Sequence, residues 1–323
     1  MATCLVTGGA GFIGSHIVEA LVRRGDRVRV LDNLDTGRRE NLSAVGDPVE
    51  WIIGDVEDGG LVRQAVEGVE VVYHQAAIAS VGRSLDDPLK THRACVTGTL
   101  TLLMASRDAR VRRVIYAASS SAYGNSGKVP SSESDRPGPL SPYAAAKLAA
   151  EHYCEAFTHS WGLETVCLRY FNIFGPRQDP RSPYSGVVAL FISSMLKGER
   201  PTIHGDGQQS RDFTYIDNAV DANLLAAEAS GVAGKVYNVG CGRRISILEL
   251  AAATGAILGT QLEPQFGPPR VGDVRHSQAD IACAQKELGY QPRVSFEDGL
   301  RRTIDAYRAA LVPERVDTRR GSQ

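Results

Sequence analysis

The sequence lacks the features that mark several large classes of protein. Its 36 basic and 37 acidic side chains leave a net charge of −1, and no basic block occurs outside a short DTRRG segment near the end. Nothing therefore favours nucleic acid or an anionic membrane as a partner. No apolar run approaches the length of a membrane span, and the first strand-like segment follows Met1 without a basic leader or cleavage site. We expect a cytoplasmic protein that binds a small molecule and neither nucleic acid nor membrane.

Cysteine is scarce and follows no pattern. The six cysteines are Cys4, Cys95, Cys154, Cys167, Cys241 and Cys283. None of them belongs to a C-x-x-C pair, and most lie in apolar surroundings. This usage is typical of reduced thiols in a core, and not of a disulfide framework or a zinc site. We therefore expect no bound metal.

What the chain does contain is an alternation of strand-like and helix-like segments over its first half. The strand-like segments are TCLVTG, RVRVLD, VEWIIGD, VEVVYH, VRRVIYAASS and ETVCLRY. Such alternation predicts βαβ units and a parallel sheet covered on both faces, a doubly wound α/β fold. After about residue 170 the pattern gives way to loops rich in proline, glycine and charge, which suit the lining of a site. We predict a first domain over 1–170, joined again by a segment near 211–237, a smaller domain mainly over 171–312, and a flexible tail over 313–323.

A glycine-rich turn, VTGGAGFIGSH, connects the first strand to the first helix, with Gly8, Gly11 and Gly14 spaced three apart. Glycines there permit a tight turn, let the backbone approach a pyrophosphate, and allow close packing of a helix whose N-terminus faces the phosphates. Taken alone, such a turn also fits an ordinary strand-to-helix connection. The next strand, however, ends on Asp32, whose carboxylate would accept hydrogen bonds from adenosine ribose hydroxyls and repel a 2′-phosphate. The two features together predict NAD, not NADP.

The third and fourth strands end in segments that suit the rest of a dinucleotide. The GDVED segment offers Asp55 and Val56 to an adenine, and HQAA places the small Ala76 and Ala77 where the dinucleotide crosses the sheet edge. Asp55 could equally cap the following helix, and the sequence does not decide between the two roles.

The alanine-rich segment SPYAAAKLAAEHY predicts a helix that carries Tyr143 and Lys147 four residues apart, and hence on one face. A nearby ammonium favours phenolate, and an oxidised nicotinamide adds a second positive charge. Together they would draw a phenol pKa of about 10 toward working pH. Tyr143 would then act as a general base. The preceding strand ends in YAASSSAYG, where Ser119, Ser120 and Ser121 offer hydroxyl groups to the same substrate oxygen, although serines also suit a simple turn there.

These motifs resemble those of the extended short-chain dehydrogenases/reductases, and among them the NAD-dependent sugar-nucleotide epimerases. The resemblance extends from Cys4 to about Arg308 and includes TGGAGFIG, HQAAIASV, SPYAAAK, LRYFNIFGPRQDP, GDGQQSRDF and GDVRHSQAD. It implies a Rossmann-type doubly wound parallel sheet with a smaller C-terminal α/β substrate domain. It also implies tightly bound NAD, an isomerase activity and a homodimer.

The resemblance assigns catalytic roles to Tyr143 as base, Lys147 on the nicotinamide ribose, and Ser119 as hydroxyl partner, with Ser121 nearby. Further cofactor contacts are expected from Phe12, Ile13, Asn33, Gly37, Gln75 and Tyr170. One departure stands out, because Cys95 occupies a position where relatives carry an asparagine near the cofactor.

For the substrate, the resemblance places Asn172, Arg211, Arg270 and Asp273 around uridine and diphosphate. A planar guanidinium suits phosphate oxygens, and a carboxylate accepts from ribose hydroxyls, although arginines in loops are also compatible with solvated surface charges. Positions that line the uracil pocket in relatives are Gly186, Val187, Thr202 and His204, and weaker candidates for sugar contacts are Ser80 and Gln178. Ser277 falls beside the C2 substituent of the sugar, where a small residue leaves room for an N-acetyl group, or it merely begins a turn.

The reaction is best predicted from Ser121. Relatives that dehydrate or decarboxylate their substrates carry an acidic residue at this position, two before the tyrosine of the YG motif. The sequence therefore favours 4-epimerisation of a UDP-hexose: UDP-glucose/UDP-galactose, or UDP-GlcNAc/UDP-GalNAc. The alternatives are a UDP-glucuronate 4-epimerase or decarboxylase, and a non-catalytic NAD-sensing protein, a class that commonly loses the tyrosine and lysine.

Overall fold

The computed structural model of the protein describes residues 1–46, 49–125, 127–180, 186–269 and 274–311. Its strands, in chain order, are β1 (Thr3–Thr7), β2 (Arg27–Asp32), β3 (Val49–Ile53), β4 (Val71–His74), β5 (Arg113–Ser119), β6 (Glu164–Tyr170), β7 (Ile173–Phe174), β8 (Thr202–His204), β9 (Ser210–Arg211), β10 (Thr214–Tyr215), β11 (Lys235–Val239), β12 (Ile245–Ser246) and β13 (Gln265–Gly267). Seven of them form one parallel sheet in the order β11-β6-β5-β4-β1-β2-β3.

The helices are α1 (Phe12–Arg23), α2 (Gly59–Val66), α3 (Val81–Asp86), α4 (Pro88–His92), α5 (Gly98–Asp108), α6 (Pro142–Trp161), α7 (Val187–Leu196), α8 (Ile216–Glu228), α9 (Ile247–Leu258), α10 (Ala282–Leu288) and α11 (Phe296–Leu311). A π-helical turn, Arg93–Thr97, joins α4 to α5, and a 3₁₀ turn, Ser120–Tyr123, follows β5. Within the described ranges, none of these helices combines the length and apolar character that crossing a bilayer requires.

Side chains of the central strands alternate between two apolar cores, one on each face of the sheet. On β1, Cys4 and Val6 belong to the core shared with α1 and α8, whereas Leu5 belongs to the core shared with α2, α5 and α6. Because both faces are covered, the strands read as nearly continuous apolar runs. The predicted doubly wound parallel sheet is confirmed.

The second half of the chain both returns to the sheet and builds a separate layer. Strand β11 pairs with β6, and α8 packs beside β5 and β6, so this stretch extends the central sheet. The remaining short strands form three pairs, β7 with β10, β8 with β13 and β9 with β12, accompanied by α7, α9 and α11, whereas α10 packs against β11 and α8. The predicted domain limits themselves stay a prediction.

Strand β1 pairs with β2 on one side and with β4 on the other. The chain therefore reverses its winding direction at β1, and a crevice opens at the carboxyl ends of β1 and β4, where doubly wound folds bind ligands. This position receives the glycine-rich turn after β1 and the segment from Gln75 after β4.

Candidate active site

Two adjoining cavities occupy the crevice at the carboxyl edge of the sheet. The smaller, of about 270 Å³, is lined by every predicted cofactor residue, from the glycine-rich turn to Tyr170. The larger, of about 1110 Å³, extends toward the second half of the chain. Phe12, Gly37, Ala77, Tyr143 and Tyr170 line both, so the two cavities form one continuous cleft.

The glycine-rich turn fits a dinucleotide because its backbone passes where side chains have no room. Gly8 has φ +66°, and a Cβ there would stand 2.7 Å from the amide nitrogen of Ala76. A Cβ at Gly14 would stand 2.1 Å from the carbonyl oxygen of Gly8. No side chain caps the start of α1 at Gly11, so the first N–H groups of that helix face the cleft as an anion site.

Asp32 ends β2 with its carboxylate at the wall of the smaller cavity. It is 7% exposed, and it accepts hydrogen bonds from the N–H groups of Ala10 at 2.9 Å and Leu34 at 2.8 Å. Burial raises the pKa of this carboxyl, and the two backbone hydrogen bonds lower it. A Cβ at Gly37 would stand 2.8 Å from Asp32 Oδ1, so the open space beside the carboxylate depends on that glycine. The arrangement fits the ribose of an adenosine.

Asp55 and Asn33 lie together at the rim of the same cavity, where Asn33 Nδ2 donates to Asp55 Oδ2 at 2.8 Å. The alternative that Asp55 caps α2 is wrong, because Asp58 accepts from the N–H groups of Gly60 and Leu61 and fills that position. Asp55 instead accepts from the N–H of Glu57, which closes a short turn next to Val56.

Gln75, Tyr170 and Asn223 form a polar cluster at the floor of the cleft. Asn223 Nδ2 donates to the phenolic oxygen of Tyr170 at 2.7 Å, and Gln75 Nε2 donates to the same oxygen at 3.2 Å. Burial raises the pKa of Tyr170 to about 12. Asn223, on α8, is a member of this cluster that the sequence analysis missed, since it lies 53 residues beyond Tyr170.

Tyr143 stands at the junction of the two cavities, on the first turn of α6. The helix begins there because Ser141 accepts from the N–H of Ala144 and Pro142 occupies the first helical position. Burial raises the pKa of Tyr143 to about 12, although a hydrogen bond with the Ser119 hydroxyl lowers it. The predicted fall of this pKa is therefore not produced by the protein's own groups.

Lys147 lies one helical turn further along α6, 3% exposed, and lines the smaller cavity. Its ammonium donates to the carbonyl oxygen of Ala117 at 2.7 Å. Burial lowers the pKa of Lys147. The spacing correctly predicts one shared face, but the ammonium bonds to strand β5 and not to the phenol of Tyr143.

The serines at the end of β5 form a compact hydroxyl cluster. Ser121 Oγ donates to Ser119 Oγ at 2.8 Å, and the N–H of Ser121 donates to the same oxygen at 3.2 Å. Ser119 thus caps the 3₁₀ turn and also hydrogen-bonds Tyr143. The turn chemistry is confirmed, and Ser119, Ser120 and Ser121 line the larger cavity, while their contact with a substrate oxygen stays a prediction.

Most of the predicted substrate residues line the larger cavity: Ser80, Ser119, Tyr143, Asn172, Gln178, Gly186, Arg211 and Ser277. Asn172 adopts φ +39°, in the left-handed region that asparagine tolerates better than most residues. Arg211 donates to the carbonyl oxygen of Ser210 at 2.8 Å, and the N–H of Ser277 donates to that same carbonyl at 3.0 Å. Arg211 and Ser277 therefore share one backbone anchor.

Three predicted uracil contacts are not among the described residues that line either cavity: Val187, Thr202 and His204. Thr202 accepts from Gln265 at 2.7 Å, and His204 Nδ1 lies 3.1 Å from the carbonyl oxygen of Pro268, both between β8 and β13. Arg270 and Asp273 lie outside the described residues. The roles of these five residues stay predictions.

Several charged residues of the cleft were not predicted. Arg83 donates to Asp35 at 2.7 Å, and Arg38 bonds to Asp179 across the opening. Arg177, with φ +68°, reaches back to Glu19 on α1 at 2.6 Å. All of them except Glu19 line the larger cavity. For Asp35, Arg38, Arg177 and Asp179, the available signal was the density of charge in the loops DNLDTGRR and GPRQDP.

Comparison with known proteins adds the family. Residues 4–240 match the profile of the NAD dependent epimerase/dehydratase family. The chain belongs to this family. It is 40% identical over 308 residues to a UDP-glucose 4-epimerase of Mycolicibacterium smegmatis, covering 94% of this chain and 98% of that one.

Two solved structures of similar epimerases superpose on nearly the whole chain. A UDP-glucose 4-epimerase of Thermotoga maritima with UDP-glucose is 41% identical with a TM-score of 0.92, over 96% of this chain and 100% of that one. A UDP-N-acetylglucosamine 4-epimerase of Methanobrevibacter ruminantium, in complex with UDP-N-acetylmuramic acid, is 38% identical with a TM-score of 0.92, over 96% and 99%. Other relatives, at 33–35% identity, are named UDP-glucuronate 4-epimerase and UDP-N-acetyl-alpha-D-glucosaminuronate decarboxylase.

Membership of the NAD dependent epimerase/dehydratase family confirms three predictions from the sequence. These are the resemblance to extended short-chain dehydrogenases/reductases, an enzyme of the isomerase class, and NAD as cofactor. The residues of the smaller cavity would hold that cofactor, with the turn from Gly8 to Gly14 at its phosphates and Asp32 at its adenosine ribose.

Proposed function

We propose that the protein catalyses NAD-dependent 4-epimerisation of a UDP-hexose through a transient 4-keto sugar. The observation that carries the proposal is the position of Tyr143. Its phenol hydrogen-bonds Ser119 at the junction of a cavity lined by the predicted NAD residues and a larger cavity lined by most of the predicted substrate residues. A group that exchanges a proton with a sugar hydroxyl beside a nicotinamide belongs at that junction.

NAD, held by the residues of the smaller cavity, would accept a hydride and return it, and its oxidised form would add a positive charge to the cleft. Tyr143 takes the proton of the sugar 4-hydroxyl as C4 is oxidised and returns it when C4 is reduced from the opposite face. Because burial raises the pKa of Tyr143 to about 12, a nearby positive charge is needed for the phenol to act as base near neutral pH. Ser119 holds the same substrate oxygen, and Ser121 holds Ser119.

The nucleotide half of the substrate would extend along the larger cavity. Arg211 presents a guanidinium to the diphosphate, and Asn172 and Gly186 line the same cavity. We add Arg270 and Asp273 to the proposed uridine and diphosphate contacts, because the sequence motif alone supports them. Ser277 leaves room beside C2 of the sugar, so we expect UDP-GlcNAc to be accepted together with UDP-glucose.

A UDP-glucuronate 4-epimerase or decarboxylase is the second candidate, supported by relatives that carry those names. Ser121 disfavours it. At the position where decarboxylating relatives carry an acid, this chain has a hydroxyl group that is engaged with Ser119 at 2.8 Å. Such a group can orient a neighbour but is a poor proton donor or acceptor at neutral pH.

The experiment is direct product analysis. Purified protein is incubated separately with UDP-glucose, UDP-GlcNAc and UDP-glucuronate, and the products are separated by chromatography that resolves C4 epimers and UDP-pentoses. We expect UDP-galactose from the first and UDP-GalNAc from the second. Turnover confined to UDP-glucuronate would support the second candidate, and no turnover of any of the three would favour a non-catalytic NAD-binding protein. Tyr143→Phe, purified in parallel, controls for contaminating epimerase.

We also propose a homodimer, supported by apolar side chains that remain exposed on packed neighbouring helices. Leu85 on α3 is 55% exposed, Leu89 on α4 is 70%, Met104 on α5 is 47% and Tyr153 on α6 is 40%. The helix α6 packs against α3, α4 and α5, and apolar side chains left exposed on such neighbouring helices are typical of a protein interface. Light scattering should give twice the mass of 34.7 kDa, and Leu89→Asp should shift the population toward monomer. A monomeric wild type would refute this part of the proposal.

A further inference from the structure

Lys147 is a buried cation with an unusual set of partners. Its ammonium lies 4.9 Å from the ring centroid of Tyr116 and 2.7 Å from the carbonyl oxygen of Ala117. Within the described part of the chain, no carboxylate is among the groups that shift its pKa. The charge is therefore balanced by a peptide dipole and an aromatic face, and not by an ion pair.

The titratable groups that interact electrostatically with Lys147 come from β4, the π-helical turn, β6 and α6 itself. His74 faces it from β4, Cys95 from the π-helical turn, Cys154 from α6 itself, and Cys167 from β6, and Tyr143 lies one turn earlier on the same helix. None of them is a carboxylate. The ring nitrogens of His74 lie 2.6 Å from the Thr7 hydroxyl and 2.9 Å from the Thr99 hydroxyl, and burial keeps the imidazole neutral.

Tyr116 is fixed in place beneath the ammonium. It is 1% exposed, its hydroxyl donates to the carbonyl oxygen of Lys147 at 3.4 Å, and its ring is tilted against His74 at 5.7 Å between centroids. Burial raises its pKa well above the ordinary range, so the phenol is neutral at working pH. Its contribution to the ammonium is therefore the negative face of the ring, which attracts cations most strongly where water is excluded.

We propose that Tyr116 is a positioning residue: its ring face, together with the Ala117 carbonyl, keeps Lys147 charged and aimed at the site in a surrounding that would otherwise favour the neutral amine. The inference rests on the proposed role of Lys147 beside Tyr143 and the nicotinamide ribose. It adds that the charge needed there depends on a residue that touches neither cofactor nor substrate.

The test varies the electrostatic potential of the ring while holding its shape. Position 116 is filled by Phe, 4-fluoro-Phe, 3,5-difluoro-Phe and 3,4,5-trifluoro-Phe, since each fluorine weakens the negative face. The pKa of Lys147 is read by NMR titration of ε-¹³C-labelled lysine, with the resonance assigned from Lys147→Arg. We expect Tyr116→Phe to leave this pKa unchanged and the trifluoro ring to lower it by roughly one unit, the size of a desolvated cation–π contact.

Turnover provides the second readout. With UDP-glucose, the alkaline limb of the kcat profile should move to lower pH in parallel with the NMR shift, while KM for the sugar nucleotide stays within about twofold. The same fluorinated residues at Phe157, a buried ring elsewhere on α6, should leave the Lys147 pKa unchanged. Tyr116→Leu removes the ring altogether and should also lower the pKa of Lys147. If that variant does not fold, the fluorinated series, which keeps the shape of the ring, still tests the proposal.

A Lys147 pKa that stays constant across the fluorinated series would overturn the proposal, as would a shift of equal size from substitutions at Phe157. The titration needs no turnover. A graded pKa shift in a protein that converts none of the UDP-sugars would leave this inference standing and defeat the proposed function. Normal epimerisation with a constant Lys147 pKa would overturn this inference and support the proposed function.

Discussion

The two ends of the cleft are built in different ways, and a buried aspartate at each shows the contrast. At the cofactor end, Asp32 accepts from Ala10 and Leu34, which lie within 22 residues of it along the chain. At the substrate end, Asp212 accepts from the N–H groups of Cys241 at 2.8 Å, Gly242 at 2.9 Å and Ala279 at 3.0 Å. The first carboxylate closes a local turn, whereas the second holds together segments up to 67 residues away.

The cofactor end of the cleft is therefore built from local contacts, and the substrate end from long-range contacts. The cofactor end follows from consecutive βα units whose carboxyl edges meet wherever the sheet forms. The substrate end depends on long-range contacts, because Arg211 adjoins Asp212 and Ser277 lies two residues before Ala279. Changes at the cofactor end should therefore act on NAD alone, and changes at the substrate end should act on sugar choice or on the stability of that wall.

The largest effect is expected where the two ends meet. Tyr143→Phe removes the only hydroxyl group in the proposal that exchanges a proton with the sugar, so kcat should fall about 10²-fold or more, as for the loss of a general base. NAD should remain bound, because the ring still fills its place in the cleft. Product formation from UDP-glucose and the absorbance of the bound cofactor measure the two quantities.

Tyr153→Phe is the matched control, since it removes a hydroxyl group from the same helix at a position that is 40% exposed. It should retain wild-type kcat. If Tyr143→Phe also turned over at nearly the wild-type rate, Tyr143 would not be the base.

The cofactor end was largely predictable from the sequence because its signals are local. The signals are three glycines soon after β1, at positions 8, 11 and 14, and Asp32 at the end of β2. If the ends of these strands were shifted by two or three residues, all four would still lie at the edge of the sheet. Where the sequence left a role open, as for Asp55, the candidates lie equally close together. The helix cap is Asp58 and not Asp55, three residues earlier, because either aspartate suits a turn and only the geometry selects one.

The rest depends on contacts that spacing does not encode. The positions of Tyr143 and Lys147 predict a shared helix face, yet the partners of Lys147 come from β5, 30 residues upstream. The pKa of Tyr143 is governed by burial, which no pattern of neighbours in the chain reveals. Likewise, Thr202 and His204 match a motif, but β8 pairs with β13 and does not bring them to the described lining of the cavities.

The second prediction concerns Asp32 and the cofactor end alone. Asp32→Ala removes an acceptor for the adenosine ribose, so NAD affinity should fall roughly 10- to 100-fold, the usual value of hydrogen bonds to a charged group. The repulsion of a 2′-phosphate is removed as well, so the preference for NAD over NADP should narrow. Calorimetric titration of the cofactor-free protein with each dinucleotide measures both.

Asp58→Asn controls for the loss of a carboxylate in this region, because asparagine caps a helix as well as aspartate does. Its NAD affinity should equal that of the wild type. Comparable affinities of the wild type for NAD and NADP would contradict the role given to Asp32.

The third prediction tests the substrate end. Ser277→Tyr should lower kcat/KM for UDP-GlcNAc by roughly 10-fold or more while UDP-glucose is little affected, since an acetamido group and a phenol ring cannot share the space beside C2. Ser277→Ala, which keeps the space open, should retain both activities. Equal losses toward both sugars in the tyrosine variant, or rejection of UDP-GlcNAc by the wild type, would mean that sugar choice is made elsewhere in the larger cavity.

The last prediction concerns the pH dependence of stability and not activity, and it isolates the long-range aspartate, Asp212. Burial raises the pKa of Asp212 to about 6 in the folded protein, from an ordinary value of 3.8. Between these two values the folded state binds more protons than the unfolded state, so this group's contribution to stability is present below pH 3.8 and is lost as pH rises through 6.

Asp212→Asn removes that titration. The free energy of unfolding of the wild type minus that of the variant should therefore fall between pH 4 and pH 6, by at most about 1.4 kcal/mol per pH unit, and become flat above pH 7. Urea unfolding at a series of pH values measures it. Asp206→Asn is the contrasting control, because Arg275 holds the pKa of that exposed carboxyl at about 2, and its difference curve should show no fall between pH 4 and pH 6. A flat curve for Asp212→Asn would show that water reaches the carboxylate, and that the substrate wall is held less rigidly than the cofactor turn.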